Sequence, residues 1–184
     1  MQGINRQIAS RTITGRDGRA VIIRSLDERD HEALLAFGKA LPQDDWLYLR
    51  HDLQNPQTVA RLTNAYAAEH WRQIVAVSDD TVVGYSNVRR LPGWSDHVGD
   101  IHLSVSPHWR RNGIGIALAQ AIIDAARELG LSKVIVEVME EQQAGRAIFE
   151  RLGFQVEGLL RGHMRAHDGQ PHNLLILAYH LRAA

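Results

Sequence analysis

An apolar run, Ile101 to Val105, passes through Ser106-Pro-His-Trp-Arg110-Arg-Asn-Gly113-Ile-Gly115 into a second run, Ile114 to Leu129. In that second run Ile114, Ala117, Leu118, Ala121, Ile122, Ala125 and Leu129 recur at helical spacing. The pattern reads as strand, basic glycine turn, helix start. The first amides of a helix have no partner within it, and the helix dipole favours negative charge there. Gly113 and Gly115 let phosphate oxygens approach the main chain, and Arg110 and Arg111 can add charge-assisted hydrogen bonds. The segment therefore predicts a pyrophosphate site. An ordinary strand–helix connection shares the same glycines. The dinucleotide fingerprint G-x-G-x-x-G fails at Leu118, and no Gly-Lys-Ser/Thr occurs.

The chain has 184 residues, enough for one domain with a real core. Basic and acidic residues number 21 each, so no electrostatic footprint points to nucleic acid or an anionic membrane. The absence of cysteine excludes disulfides, a thiolate nucleophile and a cysteine zinc site. The opening residues carry no apolar signal core and no run is long enough to cross a bilayer, so a cytoplasmic protein is expected.

Strands are expected at Arg11–Thr14 and Ala20–Arg24 around a Gly15–Gly18 hairpin, at 73–78, 82–90 and 100–105, at 133–138, and in two long final segments, 156–166 and 173–181. Helices are expected from an Asp27 cap to about Ala40, from Pro56 to Ala67, over 114–129 closed by Gly130, and around Ala144–Leu152 closed by Gly153. A right-handed β-α-β unit surrounds the glycine turn.

Arg110-x-x-Gly113-x-Gly115 after Val-x-Pro resembles the acyl-CoA signature of the Gcn5-related N-acetyltransferase (GNAT) family. Ala147-Ile-Phe-Glu-Arg-Leu-Gly-Phe154 is similar to a second family segment. The opening, with Asp17-Gly-Arg, Ile23-Arg-Ser-Leu-Asp and Leu41-Pro, resembles bacterial protein-lysine acetyltransferases. The resemblance implies an α/β (α+β) fold: a mixed, mostly antiparallel sheet of about seven strands flanked by about four helices. Residues 1–19 would form an extension carrying a hairpin strand, and 20–184 a single N-acetyltransferase domain.

It further implies acetyl-CoA as co-substrate and an amine as acceptor, with no metal, and oligomers such as a homodimer occur in the family. The main chain of Leu103, Ser104 and Val105 would pair with pantetheine. The segment Arg110, Arg111, Asn112, Gly113, Ile114, Gly115 and Ile116 would take the pyrophosphate, and Gln142 and Phe149 would lie beside the pantetheine and thioester. Phe149 stands where the family often has a proton-donating tyrosine, which leaves water or Tyr85 to protonate the leaving thiolate.

Acyl transfer needs a neutral amine. For a lysine with a reference pKa near 10.4 that costs roughly 4–5 kcal/mol at neutral pH, for an α-amine near 8 only about 1 kcal/mol. Asp100, read as the head of its strand after a Gly99 turn, is the candidate base, directly or through water. His102 shares its sheet face and Glu137 lies on the neighbouring predicted strand. His163, His167 and His172 fall around a hairpin and do not form a metal motif. Trp46, Tyr48, Trp71, Trp94, His163 and Tyr179 are candidates for the acceptor mouth. The expected activity is direct acetyl transfer to a primary amine in a ternary complex, the acceptor a protein lysine, toward which the opening segment points, or an N-terminus. The alternatives are a small-molecule amine acetyltransferase and a non-catalytic acyl-CoA sensor.

Overall fold

The computed structural model describes residues 8–46, 49, 51–65, 68–166 and 169–181. In chain order the elements are β1 (Arg11–Thr14), β2 (Ala20–Ser25), α1 (His31–Ala40), α2 (Gln43–Trp46), α3 (Pro56–Asn64), β3 (Trp71–Ser78), β4 (Thr81–Arg90), β5 (Val98–Val105), α4 (Ile114–Glu128), β6 (Lys133–Met139), α5 (Gln143–Arg151), β7 (Gln155–Arg165) and β8 (Pro171–His180). Among the described residues the sheet has eight strands, one for each segment read from the sequence, in the order β1-β2-β3-β4-β5-β6-β8-β7. Among the described strands only β5 and β6 run parallel, as the strand–helix–strand unit around the glycine turn requires. Four longer helices flank the sheet, and α2 adds a single turn after Leu41-Pro42 that the sequence reading did not anticipate. The expected helix end at Ala67 lies outside the described residues.

Helix boundaries follow local chemistry. Asp27 and Asp30 form a capping box ahead of α1, and Asp30 is buried and bidentate to Arg24 at 2.7 Å. Asn55 caps α3 through Gln57 N and Thr58 N, with Pro56 in the first turn. The two-residue period of the strands then divides the core. Ile74, Ala76, Ile101, Val105, Val134 and Val136 pack with Ile114, Leu118 and Ile122 of α4. Val75, Val77 and Tyr85 face the other way and pack with Leu34, Leu53, Val59 and Leu62 beneath α1 and α3.

The β3–β4 hairpin turns through Asp79 and Asp80 with φ of 44° and 59°, the left-handed conformation that Asn-Gly adopts most easily. Replacing this pair by Asn-Gly is expected to stabilise the fold by about 1 kcal/mol, read as a higher urea midpoint at unchanged slope.

Candidate active site

β5 positions the site. The bonds Leu91 N to Val98 O and Ser106 N to Val83 O, both 2.9 Å, bracket the strand and show that its even-numbered residues direct their main-chain groups at β4. Leu103 and Val105 therefore direct theirs to the opposite edge. There the ladder with β6 ends at Ile101–Val136, so the two strands part just beyond. An open edge of this kind leaves main-chain groups for an extended ligand, the Val105 carbonyl being shared with Arg110 Nε. Ser104 is paired with Tyr85, and its main chain belongs to the β4 side.

Past β5 the chain makes a 3-10 turn, Pro107–Trp109, and reaches Gly113 at φ 87°, where a side chain would be strained. A Cβ there would meet nothing within 4 Å, so the space over the start of α4 is open. Among the described residues, no amide from Arg111 through Ile116 donates a hydrogen bond, and the first bond of the helix is Ala117 N to Gly113 O. This row of amides, with the exposed Arg111 beside it, fits a diphosphate.

Two residues of the motif are placed differently from what the sequence reading expects. A Cβ at Gly115 would stand 2.8 Å from Ile148 Cδ1, the end of a half-buried side chain, so the glycine also eases the approach of α5 to α4. Gly115→Val is expected to cost about 1–3 kcal/mol by overpacking, and Ile148→Ala to recover part of that loss in a double-mutant cycle followed by thermal unfolding. Arg110 donates Nε to Val105 O at 3.1 Å and pairs through its guanidinium with Asp45 of α2, fastening the turn to the strand end.

On the other sheet face, Asp100 and His102 meet at 3.2 Å through Oδ2 and Nε2. β5 begins at Val98, so Asp100 is buried within the strand rather than at its head. Gly99 is a strand residue, its missing side chain leaving room for Leu131 and Val88. Glu137 is half-buried on β6, one position past the last β5–β6 pair and on the same face as His102.

Beside the Asp100–His102 pair is a narrow cavity lined by His51, Leu53, Tyr85, Asn87, His102 and Ser104. Asn87 faces His102 across the ladder, and Trp71 Nε1 donates to its Oδ1 at 3.1 Å. Asn87 and His51 were missed by the sequence reading; a buried asparagine in the apolar run of β4 was the available signal.

Tyr85 is not the acid considered above. Its O–H is donated to Gln73 Oε1 at 2.7 Å, and burial pushes the phenol far above its ordinary value against a smaller opposing effect of Asn87. Gln142 caps the β6–α5 turn, accepting from Met139 N at 3.2 Å. Phe149 is buried in the α4-side core, edge-on to Phe154 at 5.1 Å. Tyr179 stacks on the other face of that cluster, and Trp94 stands 96% exposed on the β4–β5 loop. His163 is exposed on β7, and His172 pairs with Glu141 at 3.1 Å. Tyr48, His167 and the side chain of Trp46 lie outside the described residues.

Comparison with known proteins bears on the family and the fold. Residues 30–154 match the acetyltransferase (GNAT) family. An N-alpha-acetyltransferase RimI of Mycobacterium tuberculosis is 28% identical over 65% of this chain and 75% of its own. An N-acetyltransferase 8F1 of Rattus norvegicus is 31% identical over 54% of this chain and 47% of its own. The match thus spans three quarters of the bacterial relative and under half of the rat one. The structure of yncA from Salmonella typhimurium, with acetyl-CoA, superposes with a TM-score of 0.76 at 18% identity, over 89% of this chain and 95% of that one. The chain belongs to the acetyltransferase (GNAT) family. It is an N-acetyltransferase, with acetyl-CoA as its co-substrate. Among the described residues no helix is long and apolar enough to cross a membrane.

Proposed function

We propose that this enzyme transfers acetyl directly from acetyl-CoA to a primary amine of a polypeptide, the α-amine of an N-terminus before a lysine side chain. The Asp100–His102 pair carries this reading. It is a proton-accepting pair on the sheet face opposite α4, beside a cavity and next to the place where β5 and β6 part. Pantetheine amides pair with the turned-out main chain of Leu103 and Val105, and the diphosphate rests on the amides of Arg111 through Ile116. The amine nitrogen bonds to the acetyl carbon as the C–S bond breaks, and its proton passes to the Asp100–His102 pair. The sulfur leaves as a thiolate, since Phe149 has no proton to give. The chain has no cysteine, so no cysteine acyl-enzyme precedes the transfer.

The mycobacterial relative is named for α-amine acetylation, which supports the N-terminal acceptor. Physical chemistry agrees: freeing an α-amine of its proton at neutral pH costs about 1 kcal/mol, a demand that a small buried dyad meets more readily than that of lysine. The test is mass spectrometry of two peptide pools incubated with acetyl-CoA, one with free N-termini and no lysine, the other N-blocked and lysine-containing. Acetylation confined to, or much faster in, the first pool is expected. Acetylation of the lysine pool alone would transfer the acceptor assignment to lysine. No acetylation in either pool, despite acetyl-CoA binding, would favour a small-molecule acceptor or a sensor.

A further inference from the structure

The turn between β1 and β2 lies against Asn112, at one end of the amide row. Asp17 N donates to Asn112 Oδ1 at 3.0 Å and Arg16 N to Asn112 O at 3.4 Å. Asn112 is buried, and its amide occupies the space a side chain at Gly15 would need, with Nδ2 2.5 Å from that Cβ position. Arg19 lies 3.4 Å above the Trp109 ring and donates to His108 O at 3.5 Å. Its charge is matched by Asp17 at 2.6 Å, and Asn112, with Arg19 after it, holds the Asp17 carboxyl down to about 2. Arg16 is different. It is exposed and, among the described residues, makes no ion pair and no side-chain hydrogen bond, although its main chain is fixed against Asn112.

The order of features along this surface gives Arg16 a ligand. The β5–β6 gap lies on the α5 side of the helix start, where Gly115 meets Ile148. The amides of Arg111 through Ile116 come next, and the β1–β2 turn touches the far side at Asn112. A coenzyme with its pantetheine in the gap and its diphosphate on the amides directs its remaining part, the 3′-phosphorylated adenosine, toward that turn. We infer that Arg16 recognises the 3′-phosphate of the acetyl donor, making the β1–β2 turn the element that distinguishes acetyl-CoA from its 3′-dephosphorylated form. A guanidinium suits a phosphate dianion through paired N–H donors, and at an exposed position the effect is modest and screened by salt. This inference rests on the diphosphate reading of the amide row.

The experiment is calorimetric titration of the full chain and of Arg16→Gln with acetyl-CoA and with acetyl-3′-dephospho-CoA at low and high salt. The wild type is expected to bind the 3′-phosphorylated ligand about fivefold more tightly at low salt, with the preference shrinking as salt rises. In R16Q the ratio of the two dissociation constants should fall toward one, with the loss confined to the 3′-phosphorylated ligand. A wild-type ratio of one, an unchanged ratio in R16Q, or equal weakening of both ligands would each overturn the assignment. If the wild type binds neither ligand, the diphosphate reading itself fails and takes this inference with it.

Discussion

Gly113→Trp is expected to abolish acetyl-CoA binding while the protein remains folded. Gly113 has φ of 87°, so any L-side chain carries a strain of roughly 1–2 kcal/mol, within what a domain of this size tolerates. Its Cβ would point into open space, so the indole has no core to disrupt. That space lies over the amides from Arg111 through Ile116, which lack an acceptor among the described residues. Covering them removes several charge-assisted hydrogen bonds of about 1.5–3 kcal/mol each, enough for a loss of affinity of a hundredfold or more. Circular dichroism checks the fold and calorimetry the binding; a folded G113W with wild-type affinity would remove the glycine turn from the ligand site.

Asp100→Asn is expected to lower kcat by about a hundredfold or more, in the range of general-base catalysis. The side chain is isosteric and Asp100 is buried beside His102, so the change neutralises the charge without opening a cavity. The neutral amine fraction falls tenfold for each pH unit below the amine pKa and slows both enzymes alike, so the deficit is read as the ratio of the two rates at one pH with the amine saturating. His102→Gln should produce a similar loss, and the double variant little more than either single change, as expected of groups acting as a unit. A folded D100N with wild-type kcat would remove Asp100 from proton transfer.

Much of this site is written in local sequence patterns. The strand-to-helix passage at 105–114 is read from a change of apolar period, and the placement of Asp100 and His102 on one face follows from their two-residue spacing. Contacts between distant segments are not legible in that way. Asp17 meets Asn112 across 95 positions of sequence, so the β1–β2 hairpin looks like a detached extension until the fold is seen. Gly115 shows the same limit: phosphate approach and close helix packing both require glycine, and only the position of Ile148 reveals the second. Arg110 reads as a phosphate ligand because its partners, Val105 O and Asp45, are set by the tertiary turn. The cavity beside His102 draws on His51 and Asn87, brought together by packing of the α2–α3 segment on β4.

The central claim is that bare main-chain amides at the start of α4 hold the diphosphate of the acetyl donor, and a crystal structure with coenzyme A bound tests it most directly. Diphosphate oxygens within hydrogen-bonding distance of several amides between Arg111 and Ile116, with the pantetheine along Leu103 and Val105, is the predicted result. A bound coenzyme lying elsewhere, with those amides facing solvent, would contradict it.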